Sequence, residues 1–170
     1  ELYLKGKYSI NKGTHVDQID QGISLLEESI NLDDNFFHAK SYLANLRREK
    51  GDLSIARDLY TEAMTKAGEN GDKQRVREYL VSLGDIFLEM DDFSNALECY
   101  QNALTLAEEL RYRKNSPHIM NQMALIYNNR EEPDSAVYYL EKSIKMSHEL
   151  KDSLSTVSEL LFLGNLYYNS

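Results

Sequence analysis

The sequence predicts an all-α chain, a stack of antiparallel helix pairs forming one repeat domain. Three observations predict it. From Leu80 to Ala103, apolar residues recur at three- and four-residue intervals, stop at Asp91-Asp92 and resume at Phe93, the pattern of helix, tight turn, helix. This stretch returns at a spacing of forty. Leu83-Gly84, Ile86, Ala96, Tyr100 and Ala103 become Leu43-Ala44, Leu46, Ala56, Tyr60 and Ala63 one step back. One step forward they become Met123-Ala124, Ile126, Ala136 and Leu140, and a further step gives Leu163-Gly164, Leu166 and Tyr167. Self-similarity at a fixed period is the signature of a repeat architecture. Finally, two Pro and eight Gly among 170 residues leave little room for turns, and no segment alternates as a strand does.

In chain order, residues 1–13 form a first helix around Leu2, Leu4, Tyr8 and Ile10, followed by a loop from Asn11 to His15. A second helix runs to about Asn31 through Ile19, Gly22, Ile23, Leu26 and Ile30. Asp33 or Asp34 can cap the next helix by accepting from a free N–H of its first turn. Helices at about 35–50 and 53–67 flank the turn Gly51-Asp52, and Ala67 to Asp72 reads as a loop containing Gly68 and Gly71. The third unit begins after Asp72 and ends near Leu110; Arg111 to Asn115 is a basic loop. Ser116-Pro117 reads as a hydroxyl cap followed by proline at the first helical position, and Pro133 repeats the arrangement after Glu131-Glu132. Lys151-Asp152 makes a turn, and a last helix runs from about Ser153 to Tyr168. The total is nine helices: units at about 1–34, 35–71, 72–115 and 116–151, then an unpaired helix within 152–170.

A large residue, then Leu-Gly or Leu-Ala and an aromatic in the first helix, with Ala, an aromatic and Ala in the second, resembles the tetratricopeptide repeat. That family's unit is about 34 residues, so the forty-residue spacing resembles its longer subgroup, found in kinesin light chain and in bacterial signalling proteins. The opening Leu2-Tyr3-Leu4-Lys5-Gly6-Lys7-Tyr8 is similar to the start of repeat regions attached to bacterial cyclases, kinases and transcription activators. There are departures: Lys40 replaces a large apolar residue, Arg47 an aromatic and Ser143 an alanine, which suggests looser packing in the second unit. The resemblance implies a right-handed α-solenoid whose first helices line a concave groove. It places His38, Ser41, Tyr42, Asn45, Arg48 and Glu49 in that groove, then Glu78, Val81, Ser82, Asp85, Leu88 and Glu89. The fourth unit adds His118, Asn121, Gln122, Leu125, Asn128 and Asn129, and the last helix Asn165.

Those side chains set the functional expectation. Asn and Gln both donate and accept, so they suit the main chain of a bound peptide. Glu78, Asp85 and Glu89 would make the groove's centre acidic, favouring a ligand with basic residues. The chain is therefore expected to be a non-catalytic, cytoplasmic interaction module that holds a peptide or partner helix. The alternative is a regulatory segment acting on a catalytic or DNA-binding domain elsewhere in the same polypeptide, as in the bacterial signalling proteins it resembles.

Composition narrows the field further. A net charge of -9 disfavours nucleic acid and anionic membranes, which need a basic surface. No apolar run approaches the ~20 residues of a membrane span. The single Cys99 rules out an internal disulfide and suits a reducing compartment. His15, His38, His118 and His148 make no helical pair, and no phosphate loop or EF-hand spacing is present, so neither cofactor nor metal is expected. The chain starts at Glu1 within a periodic segment and has no signal peptide, so it reads as an excised piece of a longer protein. Leu160, Leu163, Leu166 and Tyr167 match residues that pack a following helix in earlier units. Either the array continues beyond Ser170 or the last helix mediates self-association.

Overall fold

Turns at a constant interval set the architecture. In the computed structural model, Gly51, Gly71, Asp91, Arg111, Glu131 and Lys151 have positive φ, between 53° and 84°. Each stands twenty residues after the one before. In each turn that residue's amide bonds the carbonyl three back, and the next amide bonds the carbonyl five back; Gly51 N to Arg48 O is 2.9 Å and Asp52 N to Arg47 O is 2.8 Å. This Schellman closure satisfies the last helical carbonyls and ends the helix in the left-handed conformation. Glycine adopts it freely, whereas a side chain there costs roughly 1 kcal/mol or more. An acid follows at Asp52, Asp72, Asp92, Glu132 and Asp152 and opens the next helix. Asp72 caps it by accepting from Arg75 N at 3.0 Å, and Asp92 by accepting from Asn95 N at 3.3 Å.

The structure describes residues 1–12, 16–33 and 36–169, less the side chains at 9, 11, 12, 16–19, 153–155, 158, 165, 166, 168 and 169. Among the described residues there are nine α-helices and no strand. They are α1 (Leu2–Lys12), α2 (Val16–Leu32), α3 (Phe37–Glu49), α4 (Leu53–Glu69), α5 (Lys73–Glu89), α6 (Phe93–Glu109), α7 (Ser116–Asn129), α8 (Pro133–Glu149) and α9 (Ser153–Asn169). Each packs on the next in the chain, giving an all-α solenoid of stacked hairpins.

Small residues bring the paired helices together and large ones fill between them. Ala44, Ala56, Ala63 and Ala67 are fully buried around Tyr60, Tyr79, Leu83 and Ile86. The next layer places Ala96 and Ala103 beside Tyr100, Ile119, Met123 and Ile126. Gly84 is required by its neighbour: a Cβ there would lie 2.5 Å from Cε1 of Tyr100 and 2.7 Å from Cδ1.

Four local expectations are corrected. Residues 67–69 are helical, not loop: Ala67 is buried in the α4 core, Gly68 stands on the exposed side, and left-handed Gly71 ends the segment. Asn115, not Ser116, precedes α7, and Ser116 is a buried first helical residue followed by Pro117. At α3 the N-cap position is Phe36 with no side-chain cap bond; the Asp33 carbonyl lies 3.0 Å from Phe36 N, and Asp34 lies outside the described residues.

The second unit is not loosely packed either. Lys40 is 3% exposed because its stem lies in the core while Nζ reaches Glu62 at 2.8 Å. Arg47 spans Glu27 at 2.9 Å and Asp52 at 3.2 Å, tying α3 to α2 and to its own turn.

Candidate functional site

Helices α3, α5 and α7 are equivalent elements at forty-residue spacing, so equivalent side chains repeat along one side of the stack. Two contacts join α3 to α5 on this side. Arg48 donates from Nε and Nη2 to Oε1 of Glu89 at 2.8 and 2.6 Å, and its Nη1 lies 3.4 Å from Oδ2 of Asp85. Tyr79 donates to Ser41 at 3.3 Å. A third contact reaches α6: the buried Tyr100 hydroxyl donates to Oδ1 of Asp85 at 2.7 Å. Arg48, Asp85, Glu89 and Tyr100 thus form one network across three helices.

Its electrostatics follow from partial burial. Burial works against the Arg48 charge, but Glu89 and Asp85 outweigh it and hold the guanidinium above its ordinary range. Burial, reinforced by the Asp85 charge, pushes the Tyr100 hydroxyl well above the usual phenol range, so it remains a donor. Burial also lowers His38, helped by the nearby Arg75 charge.

The centre of the face is less acidic than the sequence implies. Two of its three carboxylates are already engaged by Arg48. The third, Glu78, accepts from Gln74 at 2.9 Å and lies 3.9 Å from Arg75 and 3.8 Å from Arg77. Glu78 stands seven residues before Asp85, about 10 Å along the helix, and shares no bond with the Arg48 network.

The amide residues fall elsewhere on the same run of helices. Asn45 is exposed on α3. On α7, Asn121 and Gln122 are half-buried while Asn128 and Asn129 are exposed near its C-terminal end. The Oδ1 atom of Asn121 is buried without a hydrogen-bond partner, and such an acceptor is costly to leave unmet. The Asn165 side chain lies outside the described residues.

Two buried charged groups, Arg77 and Glu159, stand outside the set the sequence singles out. Arg77 is 1% exposed, with its guanidinium carbon 4.4 Å from the ring centroid of Tyr112, a cation–π contact. Glu159 is 2% exposed on α9. Its Oε1 lies 2.5 Å from Ser143 Oγ and 3.1 Å from Ser147 Oγ, and Oε2 has no partner. Ser143 Oγ is also 2.7 Å from the Pro117 carbonyl. The signal was present as departures from the period. Ser143 and Ser147 stand where Ala63, Ala103, Ala67 and Ala107 stand, and Glu159 where Ala39, Tyr79 and Ile119 stand.

The tetratricopeptide repeat family profile matches residues 35–109, the units containing Arg48, Asp85 and Glu89. Residues 35–109 carry tetratricopeptide repeats. The chain's fold is shared with MamA, at 17% identity and a TM-score of 0.73, covering 89% of this chain and 79% of that one. BtubC (BKLC) from P. vanneervenii is similar at 21% identity and a TM-score of 0.72, over 99% of this chain and 66% of its own. A Podosopora anserina putative kinesin light chain with nearly identical TPR-like repeats gives 13% identity and a TM-score of 0.74, over 98% and 84%. No curated protein sequence matches the chain.

Tetratricopeptide repeats generally mediate protein–protein interaction. Among the described residues of these repeats, no helix is long and apolar enough to cross a membrane.

Proposed function

We propose that the repeats bind an extended peptide or partner helix along the face made by α3, α5 and α7, holding it mainly through side-chain amides. The observation that carries this is the run of side-chain amides on α7, Asn121 and Gln122 half-buried and Asn128 and Asn129 exposed toward the helix end, together with the exposed Asn45 of α3. Amide side chains both donate and accept, so they can bond the N–H and C=O groups of a bound main chain. A basic ligand residue would have to compete with Arg48 for Asp85 and Glu89, so charge tunes specificity here more than it supplies affinity.

The test begins with selection of binders from a random displayed peptide library, using the 170-residue protein as bait. Selected peptides are then titrated by fluorescence anisotropy against Asn121→Ala and against Asn128→Ala/Asn129→Ala. Loss of a hydrogen bond to a buried group is worth about 1 kcal/mol or more, so affinity should fall at least five- to tenfold. Peptides that bind both variants as tightly as the parent would place the site off this face.

A further inference from the structure

A cleft of about 220 Å³ opens where α6, the loop after it, α7 and α8 meet. Its floor is apolar, with Met120 of α7 and Met146 of α8 half-buried there. Its rim is charged and exposed: Lys142 and Lys145 from α8, Arg113 from the basic loop, and Glu108 and Glu149 from the ends of α6 and α8. Arg113 pairs with Glu149 at 3.3 Å, so Lys142 and Lys145 outnumber the one remaining carboxylate. Tyr138 holds Lys142 in place, with Nζ 4.4 Å from the ring centroid, a contact that leaves the charge intact. In a chain of net charge -9, this is a local excess of cations around an apolar floor.

The repeat supplies an internal control. Eighty residues earlier the equivalent positions also line a cleft, in the second unit, and there the polar groups close on one another. Lys40 stands in the place of Met120 and reaches Glu62, which stands in the place of Lys142, at 2.8 Å. Lys66 stands in the place of Met146 and pairs with Glu69 at 3.1 Å, while Thr65 holds the place of Lys145. In the fourth unit both of those lysines have become methionines, and Glu62 and Thr65 have become lysines, so neither internal pair can form. Methionine is an adaptable apolar contact enriched in the cores of interfaces. The rim lysines are left to meet an acid from outside.

We propose that this cleft docks an acidic peptide segment of a partner protein, with a large apolar side chain seated between Met120 and Met146 and carboxylates on Lys142 and Lys145. The volume selects a peptide over a small cofactor, because drug-sized ligands occupy roughly 300–1,000 Å³ and this cleft takes one or two side chains. Glu108 and Glu149 on the same rim select against a polyanion, since a nucleic acid or an anionic bilayer would press phosphates onto them as well. None of the lining residues belongs to the amide run of α7, so this surface and the amide-bearing face stand or fall separately.

The test selects random displayed peptides on the 170-residue protein after depletion on Lys142→Glu/Met146→Lys, which gives the fourth unit the second unit's residues at both places. The recovered peptides should pair a leucine, methionine or phenylalanine with neighbouring acids. One of them is then titrated into protein carrying labelled methionine methyls. The Met120 and Met146 signals should shift and saturate while those of Met64 and Met90 stay still. Lys142→Ala/Lys145→Ala should weaken binding roughly tenfold or more at low salt and by less at high salt, with helical circular dichroism retained, and Asn121→Ala should leave it unchanged. The proposal is overturned by recovery of no peptide that distinguishes the protein from the depletion variant, by recovered peptides without acids, or by a heparin fragment that shifts the same methyls as strongly.

Discussion

Restoring the repeat's own pattern at the α8–α9 seam should reveal how tightly its three polar residues depend on one another. Ser143 and Ser147 are both 0% exposed and Glu159 is 2% exposed, so any partner lost there is not replaced by water. Ser143→Ala takes one neighbour from the Glu159 carboxyl, which keeps only Ser147 at 3.1 Å; losing a bond to such a group is worth about 1.5–3 kcal/mol. Glu159→Leu alone strands the Ser147 hydroxyl at about 1–3 kcal/mol, while Ser143 retains the Pro117 carbonyl at 2.7 Å. Singly, then, each change destabilises. Ser143→Ala, Ser147→Ala and Glu159→Leu together remove the three side chains' mutual partners at once, with only the Pro117 carbonyl losing its Ser143 contact, and such paired apolar replacement is nearly neutral or stabilising. The triple variant should therefore exceed the sum of the singles by several kcal/mol. Because the end helix of a solenoid opens semi-independently, hydrogen exchange of α9 amides is the assay, with urea unfolding followed by circular dichroism alongside it. Additivity within about 0.5 kcal/mol would mean the three residues act separately and refute the reasoning.

Other expectations follow from the same geometry. Gly84→Ala drives a methyl into the Tyr100 ring, whose hydroxyl is tied to Asp85, and should lower stability by about 1–3 kcal/mol despite alanine's better helix propensity, whereas Gly164→Ala should not; thermal unfolding of the two variants compares them directly. Arg111→Gly and Lys151→Gly relieve left-handed side-chain strain at φ 53° and 59° and should each raise urea resistance by about 0.5–1 kcal/mol. Burial, with the Glu98 and Asp92 charges beside it, pushes the Cys99 thiol up to about 11 from an ordinary 9.0, so alkylation of the folded protein should be far slower than that of the urea-unfolded chain at pH 8.5. The folded state keeps this proton longer than the unfolded one, so the associated stability is complete below pH 9.0 and declines as pH rises toward 11, measurable in urea midpoints across that window.

Most of the architecture was legible because a helical solenoid is nearly one-dimensional. Apolar spacing marks each helix, and the period marks each unit, without any long-range pairing to resolve. The end of α4 was not legible: Gly68 signals a break by propensity, yet it stands on the exposed side of a helix whose buried Ala67 holds the last turn. Groove charge is only partly legible in the sequence, for a different reason. Glu78, Asp85 and Glu89 follow one another along one helix, but parallel first helices bring residues about forty apart into contact. Arg48 meets Asp85 and Glu89 at separations of 37 and 41, an offset the period itself supplies. Glu159 was hidden because burial of a single acid has no periodic mark; only its joint departure with Ser143 and Ser147 from the alanine and apolar positions points to it.

The even spacing of the turns also bears on how such a chain can change length. Removing one residue from the middle of α5 would rotate everything beyond it by about 100° and turn its buried face to solvent. Removing residues 52–91 as a block would instead join Gly51 directly to Asp92, again a left-handed residue followed by a helix-opening acid. Both new neighbours would meet surfaces equivalent to those they left. The chain is therefore brittle to a single-residue deletion and tolerant of recombination in whole forty-residue steps, so its gene can lengthen or shorten by copying units while each junction remains chemically the same.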